Sequence, residues 1–326
     1  MRNFIKNPIL VTGSHRSGST WTGRMIANAP NVAYIHEPFN INHRPGVCKA
    51  NFHYHFTYIC KENEFLFIKD LEDCLSFKYH FLEDLKANKS VKNFARSIFN
   101  FIRFNKYRIL KKRPLVKDPI AVFSADWLAR TFDMNVVVII RHPAAFVGSI
   151  KKVKWSHPFD HFLKQPLLMK QELYDYKSEI AEFAHKKKGI VDQGILLWNL
   201  IHHMIFKYKK NNPDWIFVKH EDISRNPIGE FKSLYKKLRL NFSEDIENRV
   251  RAFSFPENLF NSKTNSNMRI KLLKERITGN YSTKRMRNSE ANIYSWKNRL
   301  SKNEVVKIKE KTKELAKYFY TEDDWI

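Results

Sequence analysis

Cysteine is scarce in this chain: Cys48, Cys60 and Cys74 are the only three in 326 residues, and none forms a C-x-x-C pair. An odd count without such a pair argues against a disulfide framework and a structural zinc site, and isolated thiols fit a reducing compartment. Glycine (9) and proline (12) are sparse too. No internal repeat, low-complexity linker or second domain boundary is evident, so residues 1–326 are read as one domain. Long apolar runs are missing. The longest strongly apolar run, residues 136–140, falls far short of the roughly 20 residues a membrane helix needs. Residues 1–7 lead straight into the first strand without a charged-then-apolar leader, so no secretory signal is expected. A cytoplasmic protein is expected, with room for a peripheral membrane contact. Acidic residues are in the minority, 33 against 58 Lys and Arg, for a formal net charge of +25. Such a field favours an anionic partner: a nucleotide, a polyanionic glycan, nucleic acid or an acidic membrane. With 43% hydrophobic and 14% aromatic residues, the chain can bury a substantial core.

The most informative stretch is residues 8–21, Pro-Ile-Leu-Val-Thr-Gly-Ser-His-Arg-Ser-Gly-Ser-Thr-Trp. Ile9, Leu10 and Val11 predict a short buried strand. Gly13 to Gly18 bound a loop of small residues, and a helix is expected from Ser19. Loop N–H groups and the positive end of a helix dipole together make an anion site. The nucleotide-triphosphatase pattern G-x-x-x-x-G-K-[ST] needs Lys where this chain has Ser19. Its cation is Arg16 instead, two residues before the second glycine.

In that departure, Arg16-Ser17-Gly18-Ser19-Thr20-Trp21 resembles the donor loop of the PAPS-dependent sulfotransferases. PAPS, 3′-phosphoadenosine 5′-phosphosulfate, carries one leaving 5′-phosphate and no metal-bridged β,γ pair. The resemblance implies that Arg16 neutralises charge on the bridging oxygen, that Ser17, Gly18, Ser19 and Thr20 hold the 5′-phosphate, and that Trp21 lies against adenine. No metal is expected.

A second signal follows at Asn135–Ile140. Its run of β-branched residues predicts a central parallel strand buried on both faces. Arg141-His142-Pro143 ends it, Pro143 suits the first turn of a helix, and Ser149 lies eight residues after Arg141. In the resembling family the corresponding Arg and Ser bind the 3′-phosphate. A guanidinium offers a forked, permanently charged contact to such a group.

Between these motifs, residues 32–35 predict a strand ending in His36-Glu37-Pro38, and residues 114–116 another ending in Lys117-Asp118-Pro119. Carboxylates at the C-terminal ends of parallel strands stand where such sheets carry chemistry. The carbohydrate-directed sulfotransferases have an acidic residue before Pro at the first place, which implies that Glu37 is the base deprotonating the acceptor. The cytosolic aryl and steroid branch has Lys-Thr-His at the second place, with that His as base. Here Pro119 replaces it. The chain therefore resembles the carbohydrate (Golgi-type and bacterial) branch more closely. By the same analogy Lys117 contacts the transferring sulfuryl group, the alternative being a structural salt bridge to Asp118.

Residues 41–112 and 151–189 are read as inserts bordering the acceptor. Helices are expected at 71–85, 91–110, 121–132, 195–210, 228–238 and 302–319, and a strand at 215–219. Glu221 and Asp222 are assigned to capping the helix at 228–238. His43, His53 and His55 lack a metal-ligand spacing. Related sulfotransferases close a basic C-terminal loop over the 3′-phosphate, which implies Lys284 and Arg285 of the basic run 281–287 as candidates. The resulting expectation is an α/β, P-loop-type three-layer fold, a central parallel sheet flanked by helices. It would serve sulfuryl transfer from PAPS to a hydroxyl or amine on a glycan or glycolipid. A protein tyrosine, lipid or small alcohol is the alternative acceptor. A P-loop kinase or a non-enzymatic polyanion-binding protein are the alternatives from other classes.

Overall fold

The computed structural model describes residues 7–87, 90–254 and 293–326. Strands β1 (Ile9–Gly13), β2 (Val32–His36), β3 (Arg113–Lys117), β4 (Asn135–Ile140) and β5 (Ile216–Lys219) form one sheet in the order β2-β3-β1-β4-β5. All four pairings are parallel, with Leu10 opposite Val116 and Val136 in register. This is the expected α/β arrangement, a parallel sheet between helical layers.

Side chains alternate across the pleat and divide the core into two. Leu10, Val116, Val138 and Ile140 face one layer, while Ile9, Val11, Leu115, Val137 and Ile139 face the other. Each fully buried aliphatic side chain of this kind contributes roughly 1.5–3 kcal/mol. Because both faces are covered, β4 shows no polar alternation, which is why its sequence reads as an unbroken β-branched run.

Helix α1 (Ser19–Ile26) follows β1 directly. The connection from β2 to β3 carries α2 (Ile68–Leu75), α3 (Phe81–Ala87) and α4 (Val91–Ile109). The helix expected over 71–85 is thus two helices. Phe77 takes a positive φ of 57° between them, and Lys78 N–H closes back on the Asp73 carbonyl at 2.9 Å. The segment expected as a helix from 121 begins as a 3-10 turn, Pro119–Ser124, before α5 (Ala125–Phe132). Asp118 caps that turn by accepting from Ile120 N–H. Then come α6 (Pro143–Val153), the short α7 (Asp160–Leu163) and α8 (Pro166–Gln171), α9 (Lys177–His185) and the long α10 (Ile190–Asn211). After β5 the chain forms α11 (His220–Arg225), α12 (Pro227–Lys237) and α13 (Glu244–Ser254). A further helix, Lys302–Ala316, opens with a capping box between Ser301 and Glu304. Among the described residues no helix is long and apolar enough to cross a membrane.

Candidate active site

Sheet order places β1 between β3 and β4. The residues that follow these three strands, loop 14–18, Asp118 and Arg141, are therefore neighbours at one edge, where open parallel sheets gather ligands.

The loop after β1 requires both its glycines. Gly13 has φ 125°, and a Cβ there would meet the Ile139 carbonyl oxygen of β4 at 2.2 Å. Gly18 has φ 86° and precedes α1, and a Cβ on it would meet His220 Nδ1 at 2.6 Å. Only glycine satisfies both the left-handed backbone and the close approach. Between them Arg16 also takes a positive φ, 65°. Such strain in a non-glycine residue is retained only where its surroundings hold it.

What holds Arg16 is the second motif. Its Nε donates to Ser149 Oγ at 3.1 Å, and its carbonyl accepts from the Arg141 guanidinium. The two stretches singled out in the sequence are thus hydrogen-bonded to each other across 125 residues of chain. Arg141 is fixed in turn by Trp198, whose Nε1 donates to the Arg141 carbonyl at 2.9 Å. Burial lowers the Arg141 pKa to about 10, against the pull of nearby Glu221, so the group remains a cation at neutral pH.

A cleft of about 550 Å³ brings together His15, Arg16, Gly18, Ser19, Thr20, Trp21, Glu37, Arg141 and Ser149. Ser17 is buried beneath the same loop. Lys117 is fully buried just behind, its stem packed over Gly23 of α1. Several polar atoms here have no hydrogen-bond partner among the described residues: Ser14 Oγ, Ser17 Oγ, Trp21 Nε1 and Arg141 Nε. Buried donors are rarely left so. Their concentration around a cationic loop fits an anion carrying several oxygens. Trp21 meets Phe231 edge-on at 5.4 Å between ring centroids while lining the cleft.

Glu37 leaves β2 with φ 45°, its N–H bonded to the Lys117 carbonyl at 2.9 Å. Its carboxylate pairs with the Lys117 ammonium and accepts from Asn40 Nδ2 at 3.3 Å. Burial acts to raise the Glu37 pKa, but Lys117, His36 and these hydrogen bonds outweigh it and hold the carboxyl below its usual range. Asp118 also feels the Lys117 charge, while its carboxylate oxygens accept from backbone donors. Its Oδ2 accepts from Phe39 N–H at 2.7 Å and its Oδ1 from Ile120 N–H at 3.1 Å, so it shapes the turn after β2. Burial and the nearby Glu37 charge push Asp118 up to about 7.

Other residues reach the cleft that sequence reasoning did not assign to it: Lys152 of α6, His220 and Ser224 of α11, Phe253 of α13 and Arg299. Arg299 is carried in by the turn after Ile293, whose Trp296 packs over Gly148. Glu221 is structural as expected, but it does not cap α12. It accepts from His142 N–H and Tyr320 OH, both at 3.1 Å, bracing the end of β4. Asn226 supplies the α12 cap. Lys284 and Arg285 lie outside the described residues. Among the described residues no group of His, Cys, Asp or Glu side chains could hold a metal ion. His55 instead stacks on His161 at 5.6 Å.

A second, larger cleft of about 930 Å³ adjoins the first. His36 and Glu37 line both. Its walls carry Arg24, Arg44, Lys92, Arg96, Arg103 and Arg249 together with Tyr34, Phe99, Phe104 and Tyr107, and Glu37 is the sole carboxylate among its lining residues.

The family model for the sulfotransferase family matches residues 8–244, a span that includes the loop, Glu37, Lys117, Arg141 and Ser149. The chain belongs to the sulfotransferase family. No curated protein matches this sulfotransferase in sequence. Solved structures similar to it include the sulfotransferase domain of the curacin biosynthetic pathway, 12% identical over 96% of this chain and 97% of that one, with a TM-score of 0.46. Another is a Mycobacterium tuberculosis sulfotransferase, 17% identical over 84% of this chain and 77% of that one, TM-score 0.41. A third is a mouse sulfotransferase in complex with PAP, 12% identical over 99% and 89%, TM-score 0.42.

Proposed function

We propose that this sulfotransferase moves a sulfuryl group from PAPS to a hydroxyl, or an amine, of an acidic glycan or glycolipid. The observation that carries the reading is the position of Glu37, which lines both the anion-binding cleft and the larger basic, aromatic one. A base at that junction can take a proton from an acceptor in one cleft while the donor occupies the other.

PAPS would supply the sulfuryl group: the acceptor oxygen bonds to sulfur, the S–O bond to the 5′-phosphate breaks, and PAP leaves. Ser17, Gly18, Ser19 and Thr20 would hold the 5′-phosphate with loop N–H groups and hydroxyls. Arg141 Nε and the Ser149 hydroxyl would take the 3′-phosphate, and Trp21 would lie against the adenine. Arg16 and Lys117 would offset the negative charge that moves onto the leaving phosphate. Glu37, held ionised by Lys117, would accept the acceptor's proton. The cation-rich walls of the second cleft, with aromatic rings between them, suit a sugar bearing carboxylate or sulfate groups.

Calorimetric titration with PAP, AMP and ATP in metal-free buffer tests the donor assignment. PAP should bind well above the other two. Equal affinity for all three would leave the loop a general anion cradle and return the kinase and polyanion-binding readings. Release of PAP from PAPS on addition of sulfated or uronate-bearing oligosaccharides, and not of neutral ones, tests the acceptor class.

A further inference from the structure

Helix α4 breaks the rule for a helix at a protein surface. Its inner face is ordinary: Ser97, Asn100 and Phe104 are buried. The rest of its circumference should be polar. Instead, Val91, Phe94, Ile98, Phe101, Ile102 and Ile109 are exposed, from 38% at Ile98 to 86% at Val91. At 3.6 residues per turn these six fall within an arc of about 100°, its centre about 120° around the helix from that of the buried one. Eight of the large apolar side chains exposed among the described residues belong to residues 91–110. That concentration marks an interaction surface rather than scattered surface hydrophobes.

Charge narrows what covers it. Residues 91–113 contain no Asp or Glu, and they hold Lys92, Arg96, Arg103, Lys106, Arg108, Lys111, Lys112 and Arg113. Lys106 and Arg108 flank the apolar arc on its two sides by the same helical geometry. No ion pair joins Lys92, Arg96, Lys106 or Arg108 to a carboxylate among the described residues. A second copy of this helix would bring two such cationic faces together, which like-charge repulsion opposes. An apolar strip bordered by cations, on a helix of 19 residues, matches the interfacial helices that lie in the headgroup region of anionic bilayers.

We propose that α4 docks this protein on an anionic membrane, its apolar arc inserted among the lipids and its cations on the headgroups. Lys92, Arg96 and Arg103, which line the cleft that ends at Glu37, lie about 150° around the helix from the centre of the apolar arc, so docking leaves that cleft turned away from the inserted face. The docking stands apart from the sulfotransferase reading above.

The test is co-sedimentation of the full chain with phosphatidylcholine vesicles, with and without phosphatidylglycerol, beside the triple variant Phe94→Ser/Ile98→Ser/Ile102→Ser. The parent should pellet with the anionic vesicles and stay in solution with the neutral ones. The triple variant should lose at least about tenfold in partitioning while binding PAP as the parent does. Lys106→Gln/Arg108→Gln should weaken binding without altering the melting temperature. A parent that ignores anionic vesicles, or a triple variant that pellets equally, overturns the docking. So does a parent that sediments as a dimer and becomes monomeric in the triple variant without vesicle binding, because a second copy then covers the face. Vesicle binding by a parent that does not bind PAP would leave the docking standing and remove the sulfotransfer reading.

Discussion

The Glu37 carboxylate and the Lys117 ammonium form an ion pair across the C-terminal ends of β2 and β3, with Lys117 fully buried and Glu37 partly exposed. The pairing follows from register: His36 lies opposite Lys117 in the parallel ladder, so the next residue of β2 hangs over the lysine. Buried ammonium and exposed carboxylate have unequal claims on each other. Lys117 has left water and depends on a partner, whereas Glu37 faces both clefts.

Replacing Glu37 by Gln keeps the shape and removes the proposed base. Turnover should fall by about 10²–10⁴, with PAP affinity by calorimetry close to that of the parent. Gln also removes the carboxylate that pairs with the buried ammonium, so the melting temperature should drop. Lys117→Met in the same background removes that buried charge and should recover part of the loss. Near-parent turnover in Glu37→Gln would take Glu37 out of the base role.

Arg141→Ala should discriminate between nucleotides. A charge-assisted hydrogen bond contributes about 1.5–3 kcal/mol, so PAP should bind roughly tenfold to a hundredfold more weakly while AMP changes little. Parallel titrations of the two nucleotides decide it, and equal weakening of both would mean that Arg141 serves the loop through the Arg16 carbonyl and not the ligand.

Gly18→Ala meets two obstacles, a left-handed backbone and the His220 ring. The backbone alone should cost about 1–2 kcal/mol, and the ring contact adds to it. His220→Ala clears the second obstacle only. The double variant should therefore melt above Gly18→Ala and below the His220→Ala single variant, as differential scanning calorimetry can read. Identical melting of Gly18→Ala and the double variant would show that the ring exerts no pressure on the loop.

Asp118 titrates in the native state near 7 against an ordinary value of 3.8. Between these values the folded protein holds a proton that the unfolded chain releases. The stability Asp118 contributes is thus complete below about pH 4 and is lost as pH rises toward about 7. The melting temperature of the parent relative to Asp118→Asn should fall across that window and level off above it. A difference that does not move with pH would show that the two backbone donors, Phe39 and Ile120 N–H, keep the carboxylate ionised throughout.

Much of this architecture was legible because its causes are local. A strand buried on both faces needs an unbroken β-branched run, and β4 has one. A chain that turns through left-handed backbone beside another strand needs glycine, and Gly13 and Gly18 mark the loop. The break between α2 and α3 had no such mark, since Phe77 adopts a conformation for which sequence offers no preference. Helix α13 did carry a signal, Ile246, Val250 and Phe253 at helical spacing, hidden among charged neighbours. Arg299 could not have been placed in the cleft from its own surroundings. It arrives there because Trp296 packs on α6, a contact set by tertiary structure. The pairing of Lys117 with Glu37 was similarly decided by sheet register, which no single strand displays.

The second cleft is largely built from the chain between β2 and β3, while the donor-side loop, Arg141 and Ser149 lie outside that connection. It departs after His36 and returns at Arg113, which are offset by four residues in the ladder, or about 13 Å at 3.3 Å per residue. On the proposed reading the connection is a replaceable cassette: a different fold that bridges this short gap and leaves Glu37 at its root would change the acceptor while the donor side stays in place.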